Sequence, residues 1–202
     1  MTRWGWCVVL MLGCSEAPSL QALGVEAPPP GADAGGRVPP EPPLTLAVDV
    51  DVSESRLLDW DLAIVLGEIN AIWAQAGICF EFRDARDSGT AALRLSFVGG
   101  DMAGLNGRYD GDRQIWSLDA PSLYDAPHPT AHPASRTASH ELGHALGLQH
   151  YNGRRLSMDS LMASGTRGFF LHDFEIEAAR RSAAEKPLMR ACPSQAAGVG
   201  RP

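Results

Sequence analysis

His140-Glu141-Leu142-Gly143-His144-Ala145-Leu146-Gly147-Leu148-Gln149-His150 is the stretch whose reading decides the fold. On a helix, residues four apart share a face, so His140 and His144 can reach one ion from successive turns. Their neutral imidazole nitrogens suit Zn²⁺. Glu141 is rotated about 100° from His140 around the helix axis, so it leans toward the same place without being a ligand. Gly147 lets the chain leave the helix in a left-handed conformation that a side chain would resist. The backbone then turns and brings back His150 as a third ligand. Three protein ligands leave one position open for water, which is the layout of a catalytic zinc site. The bland alternative is three helix-surface histidines with no metal. A bare His-Glu-x-x-His pair arises by chance, but the Gly and the third His at fixed offsets make that coincidence rare.

Outward from the motif, hydrophobic periodicity marks the elements that carry it. Leu44, Leu46, Val48, Val50 and Val52 alternate with mostly polar or small residues, as in a strand. Leu58, Leu62, Val65, Ile69 and Ile72 recur every three or four residues, which predicts an amphipathic helix over about 56–76, closed by Gly77. Ile78, Phe80 and Phe82 alternate again and complete a β-α-β crossover. Leu93, Leu95 and Phe97 form a third strand, and Ile115 to Leu118 a short fourth. The motif helix is expected over about 134–147. A last helix starts near Asp173, with acidic residues early and Arg180 and Arg181 late, as the helix dipole favours. Trp60 and Trp73 are explained by packing of the first helix.

The long motif resembles the zinc signature of the metzincin metalloproteases, and every specified position is matched. Ser160-Leu161-Met162-Ala163 also matches the clan's Met-turn, with Met162 as the methionine beneath the metal. The matrixin-like members are the nearest in character. Tyr151 stands where matrixins carry Ser, no Tyr follows Met162 two residues on, and no cysteine-switch propeptide is present, so the clan is assigned and the family is not. The resemblance implies an α+β fold: a twisted mixed sheet with a long crossover helix, an active-site helix, a Met-turn and a C-terminal helix. It implies a zinc endopeptidase in which Glu141 is general base and then acid, acting on a protein or peptide bound extended along an edge strand. That edge strand is expected to be the short one at Ile115 to Leu118. Primed-side selectivity is expected from about Ala163 to Leu171.

The ends of the chain read differently. Residues 1–14 carry one Arg, a short apolar run and Gly13-Cys14, the layout of a secretory signal ending like a bacterial lipobox, with Cys14 as the lipidated residue. An ordinary signal peptide cut further on is the alternative. Residues 15–43, rich in Pro, Ala and Gly, predict a disordered tether. The catalytic domain is expected over 44–192, with a flexible tail at 193–202. An exported protein follows, either an outer-membrane or cell-surface lipoprotein held through its N-terminal lipid or a secreted one, and a monomer is expected. The formal net charge of −7 and the lack of basic runs argue against a nucleic-acid partner.

Cys79 and Cys192 are the thiols left after lipidation. In an oxidising compartment they could pair, closing a large loop worth about 4 kcal/mol by chain entropy. A buried Cys79 and an exposed Cys192 are equally compatible with the sequence. His128 and His132, in a Pro-bounded loop, read as surface residues before they read as a second metal site, and His172 reads as a capping or surface residue. Asp101, Asn106, Asp110 and Asp112 offer hard oxygens that could hold Ca²⁺, although plain turns account for such a loop. The competing function is a zinc-binding surface protein that keeps the metzincin fold without turnover. Retention of Glu141 weighs against it, because such a protein can lose that residue and still bind metal.

Overall fold

The computed structural model describes residues 43–86, 91, 93–121, 132–150, 159–163, 168–185 and 190–191. The signal segment with Cys14, nearly all of the Pro-rich tether, His128, Tyr151, Cys192 and the tail lie outside them.

Strand β1 (Leu44–Glu54) is followed by helix α1 (Asp59–Trp73), a 3-10 turn (Ala74–Ala76), β2 (Ile78–Asp84) and β3 (Leu93–Val98). Then come β4 (Gly107–Tyr109), β5 (Gln114–Leu118), helix α2 (Pro133–Ala145), helix α3 (Asp173–Glu185) and β6 (Arg190–Ala191). The sheet order is β2-β1-β3-β5-β4. All neighbours on that path are parallel except β4, which runs antiparallel to β5. Two-residue β6 pairs antiparallel with the start of β1. The chain thus has the three helices expected from its sequence pattern and the mixed sheet that the resemblance implies.

The alternation of β1 sends Leu46, Val48 and Val50 to one face, where Leu93, Leu95, Phe97 and Ile115 join them. Val65, Ile69 and Ile72 of α1, and Ala138 and Leu142 of α2, close over that face. Burying each large aliphatic side chain contributes about 1.5–3 kcal/mol, so this two-layer core holds α2 firmly against the sheet. The opposite face of the sheet is polar: Asp51 pairs with Arg94 at 2.6 Å, Gln114 donates to Ser96 Oγ at 3.0 Å, and Arg108 lies over Trp116.

Four expectations are corrected. Leu58 is not on the buried stripe of α1: it is the N-cap residue and is 58% exposed. Trp60 is 62% exposed, whereas Trp73 is fully buried against Phe80. The strand at Ile115 to Leu118 is not an edge, because β4 covers its outer flank. That covering strand comes from the stretch read as a Gly- and Asp-rich loop.

Cys79 is half-buried on β2. Thr45 pairs with Cys79 on one flank of β1 and with Arg190 on the other, so β6 and Cys79 lie on opposite sides of that strand. The proposed partner, Cys192, is outside the described residues.

Candidate metal centre

Helix α2 starts at Pro133, whose missing N–H costs nothing in the first turn. His132 is the N-cap: its Nδ1 accepts from Ala134 N at 3.2 Å. Buried Glu68 of α1 accepts from His132 N and from Ser135 Oγ, the latter at 2.6 Å, and so ties the two helices together at this end. His132 therefore serves the helix terminus, and among the described residues it belongs to no second metal cluster; His128 lies outside them.

At its other end α2 stops in a Schellman arrangement. Leu148 N donates to Gly143 O at 2.9 Å and Gly147 N to His144 O at 2.9 Å, with Gly147 at φ +83°. The same cap orients His144, because the carbonyl of Leu148 lies 2.9 Å from His144 Nδ1. The turn then delivers His150 opposite the helix.

His140, His144 and His150 come together, their ligand nitrogens all within 4.8 Å of one another. His140 Nε2 lies 2.9 Å and His144 Nε2 3.1 Å from His150 Nε2. His140 is buried, His144 half-buried and His150 exposed, so the cluster opens toward solvent on one side. A carbonyl oxygen can only accept. His140 Nδ1, 2.7 Å from Leu161 O, and His144 Nδ1 must therefore each carry the proton, leaving both Nε2 lone pairs aimed at the common centre. The three rings thus crowd their Nε2 atoms around one point. A cation relieves that crowding, and a tetrahedral zinc with bonds of about 2.0–2.1 Å would hold such nitrogens only about 3.3 Å apart. The donor set fits a metal ion. Burial above all, then the charge of Arg136, holds His140 down to about 3, and burial also lowers His150, so both rings stay neutral and able to ligate.

Glu141 is 7% exposed, and burial pushes its carboxyl up to about 7, with Arg136 pulling the other way. It packs against the backbone of β4. A Cβ at Gly107 would stand 2.7 Å from Glu141 Cγ and 2.8 Å from Oε1, so only glycine admits the carboxylate here. Met162 is fully buried beneath α2, and a Cβ at Gly143 would run into its sulfur. Arg136, one turn before His140, is 4% exposed and spends its guanidinium on the backbone around Met162. Gly107, Gly143 and Arg136 are absent from a reading based on motif spacing. Arg136 leaves one sequence signal: a charge in line with His140 and His144 at helical spacing.

Three of the remaining candidates, His172, Asp101 and Asp110, make local contacts. His172 sits between Phe170 and Phe174, and its backbone N–H donates to Glu175 Oε2. Asp101 Oδ1 accepts from Gly104 N, and Asp110 Oδ1 from the N–H groups of Asp112 and Gln114, which are turn contacts. Among the described residues no other group of three His, Cys, Asp or Glu side chains converges as the histidines do.

No protein-family model matches the chain, and no curated protein sequence matches it. The fold is similar to that of archaemetzincin from Methanopyrus kandleri. The superposition has a TM-score of 0.51 and covers 69% of this chain and 96% of the other, at 13% identity. At that identity the likeness is one of fold.

Proposed function

We propose that the protein is a zinc-dependent endopeptidase of the metzincin clan, with His140, His144 and His150 as ligands and Glu141 as general base and acid. The observation that carries this reading is the convergence of three imidazoles, two of them fixed by backbone carbonyls with their Nε2 lone pairs facing inward. The archaemetzincin-like fold supports it, as does the position of Glu141 beside the first ligand.

A bound zinc ion supplies Lewis-acid polarisation of a water and of the scissile carbonyl. The chain's own residues do the rest. Glu141 takes a proton from the water as its oxygen bonds to the carbonyl carbon. It gives that proton to the leaving nitrogen as the C–N bond breaks. Gly107 holds β4 tight against Glu141, so a peptide added to this edge strand lies next to the base. Met162 gives the ligands an apolar floor and takes no part in the chemistry. On this reading the N-terminal signal exports the enzyme, which is anchored through lipid on Cys14 or, where the signal is cut further on, secreted.

The test is the full 202-residue chain, loaded with zinc and incubated with a diverse peptide library, its cuts read by mass spectrometry. Glu141→Ala should still bind one zinc and lose all the cuts. Identical cuts by Glu141→Ala would remove its role. No cuts from a folded, zinc-loaded parent would favour a binding protein without turnover.

A further inference from the structure

Two limbs of chain, 159–163 and 168–171, lie beneath α2. They are stitched by Leu161 N donating to Phe170 O and Phe170 N to Asp159 O, both at 2.8 Å. Arg136 closes the other side of this unit. Its Nη2 donates to Leu161 O at 2.8 Å and to Ala163 O at 3.0 Å, and its Nε to Gly168 O at 3.1 Å. One planar guanidinium thus holds three carbonyls from both limbs, which a lysine ammonium on a flexible stem does not reproduce. One of those carbonyls, Leu161 O, also receives His140 Nδ1 at 2.7 Å. Arg136 and His140 are one helical turn apart on the same face, so α2 presents both donors to one oxygen, and both of its lone pairs are engaged.

We infer that Arg136 is a positioning residue for the metal centre: by fixing the Leu161 carbonyl it sets the tautomer and ring orientation of His140, and through them the affinity for zinc. The inference deepens the peptidase reading and rests on it for the zinc part. Without the guanidinium, His140 is the one described side chain that still bonds the Leu161 carbonyl, and the acceptor that keeps its proton on Nδ1 is no longer fixed from a second side. Partners that orient ligating histidines typically change metal affinity by about 10–100-fold, and Arg136 acts on such a partner.

The test compares the full chain with Arg136→Met, Arg136→Lys and a core control far from the site, Phe80→Leu. Zinc affinity is measured by competition with a chromogenic chelator, stability by melting without metal, and the His140 tautomer by ¹⁵N NMR of the metal-free protein near pH 7. Arg136→Met should bind zinc at least about tenfold more weakly and lose the Nδ1–H signature of His140. Arg136→Lys should recover part of both. Phe80→Leu should melt earlier and keep both. Unchanged zinc affinity and tautomer in a folded Arg136→Met would overturn the proposal. So would a matching affinity loss in Phe80→Leu. Should Arg136→Met fail to fold, Arg136→Lys and the parent decide: a parent His140 protonated on Nε2 contradicts the proposal. A parent that binds no zinc removes the peptidase reading, and the tautomer in the variants then decides the hold of Arg136 on His140.

Discussion

Glu141 and Gly107 are 34 positions apart in sequence and in contact in the fold. Replacing Gly107 by Ala places a methyl group where the Glu141 side chain lies, and the side chain must move. Because displacing a reacting group by about 1 Å can cost about 10²-fold in rate, Gly107→Ala should lower kcat by about that factor and leave zinc affinity unchanged. Equal kcat for the variant would mean that Glu141 is not held by β4. The contrast between these two residues explains what a sequence discloses at this scale. The three histidines, Glu141 and Gly147 sit within eleven consecutive residues, so helical spacing and the one turn at Gly147 bring them together. Gly107 and Arg136 depend on contacts between distant parts of the chain: nothing near Gly107 in sequence marks its contact, and Arg136 is marked only by its helical spacing from His140 and His144.

At the scale of elements, the edge of the sheet matters most. β4 is three residues long and its sequence, Gly-Arg-Tyr, shows no apolar alternation, so its membership in the sheet comes from pairing with β5 and not from its own pattern. Long periodic elements such as β1 and α1 were legible because they repeat their signal over many residues, and α3 through its acidic residues early and Arg180 and Arg181 later. Leu118 N bonds Asn106 O and Asp110 N bonds Gln114 O, so the backbone groups of Asn106, Arg108 and Asp110 face β5. Those of Gly107 and Tyr109 face outward, where an extended peptide would pair. N-methylation of the substrate amides opposite these two residues should raise KM by about 3–10-fold each, the value of a net hydrogen bond, with kcat little changed. N-methylation that leaves KM unaltered at every position would exclude β4 as the docking edge.

Across the whole molecule, the helices cover one face of the sheet and the other face carries charge. On that face the Ser53 N–H above all, then Arg94, holds Asp51 down to about 2 from 3.8. Its contribution is therefore present above about pH 4 and fades as pH falls toward 2. The stability difference between the parent and Asp51→Asn should be constant at neutral pH and shrink below pH 4, as read by urea unfolding. A difference that grows on acidification would contradict this assignment. The fold likeness to archaemetzincin and the histidine cluster meet in one claim, that a metal sits among His140, His144 and His150. X-ray absorption at the zinc edge of the zinc-loaded full chain tests it most directly. One zinc per chain with three imidazole nitrogens at about 2.0–2.1 Å and a further light atom is expected. A thiolate shell at about 2.3 Å, or no stoichiometric zinc in the folded protein, would contradict it.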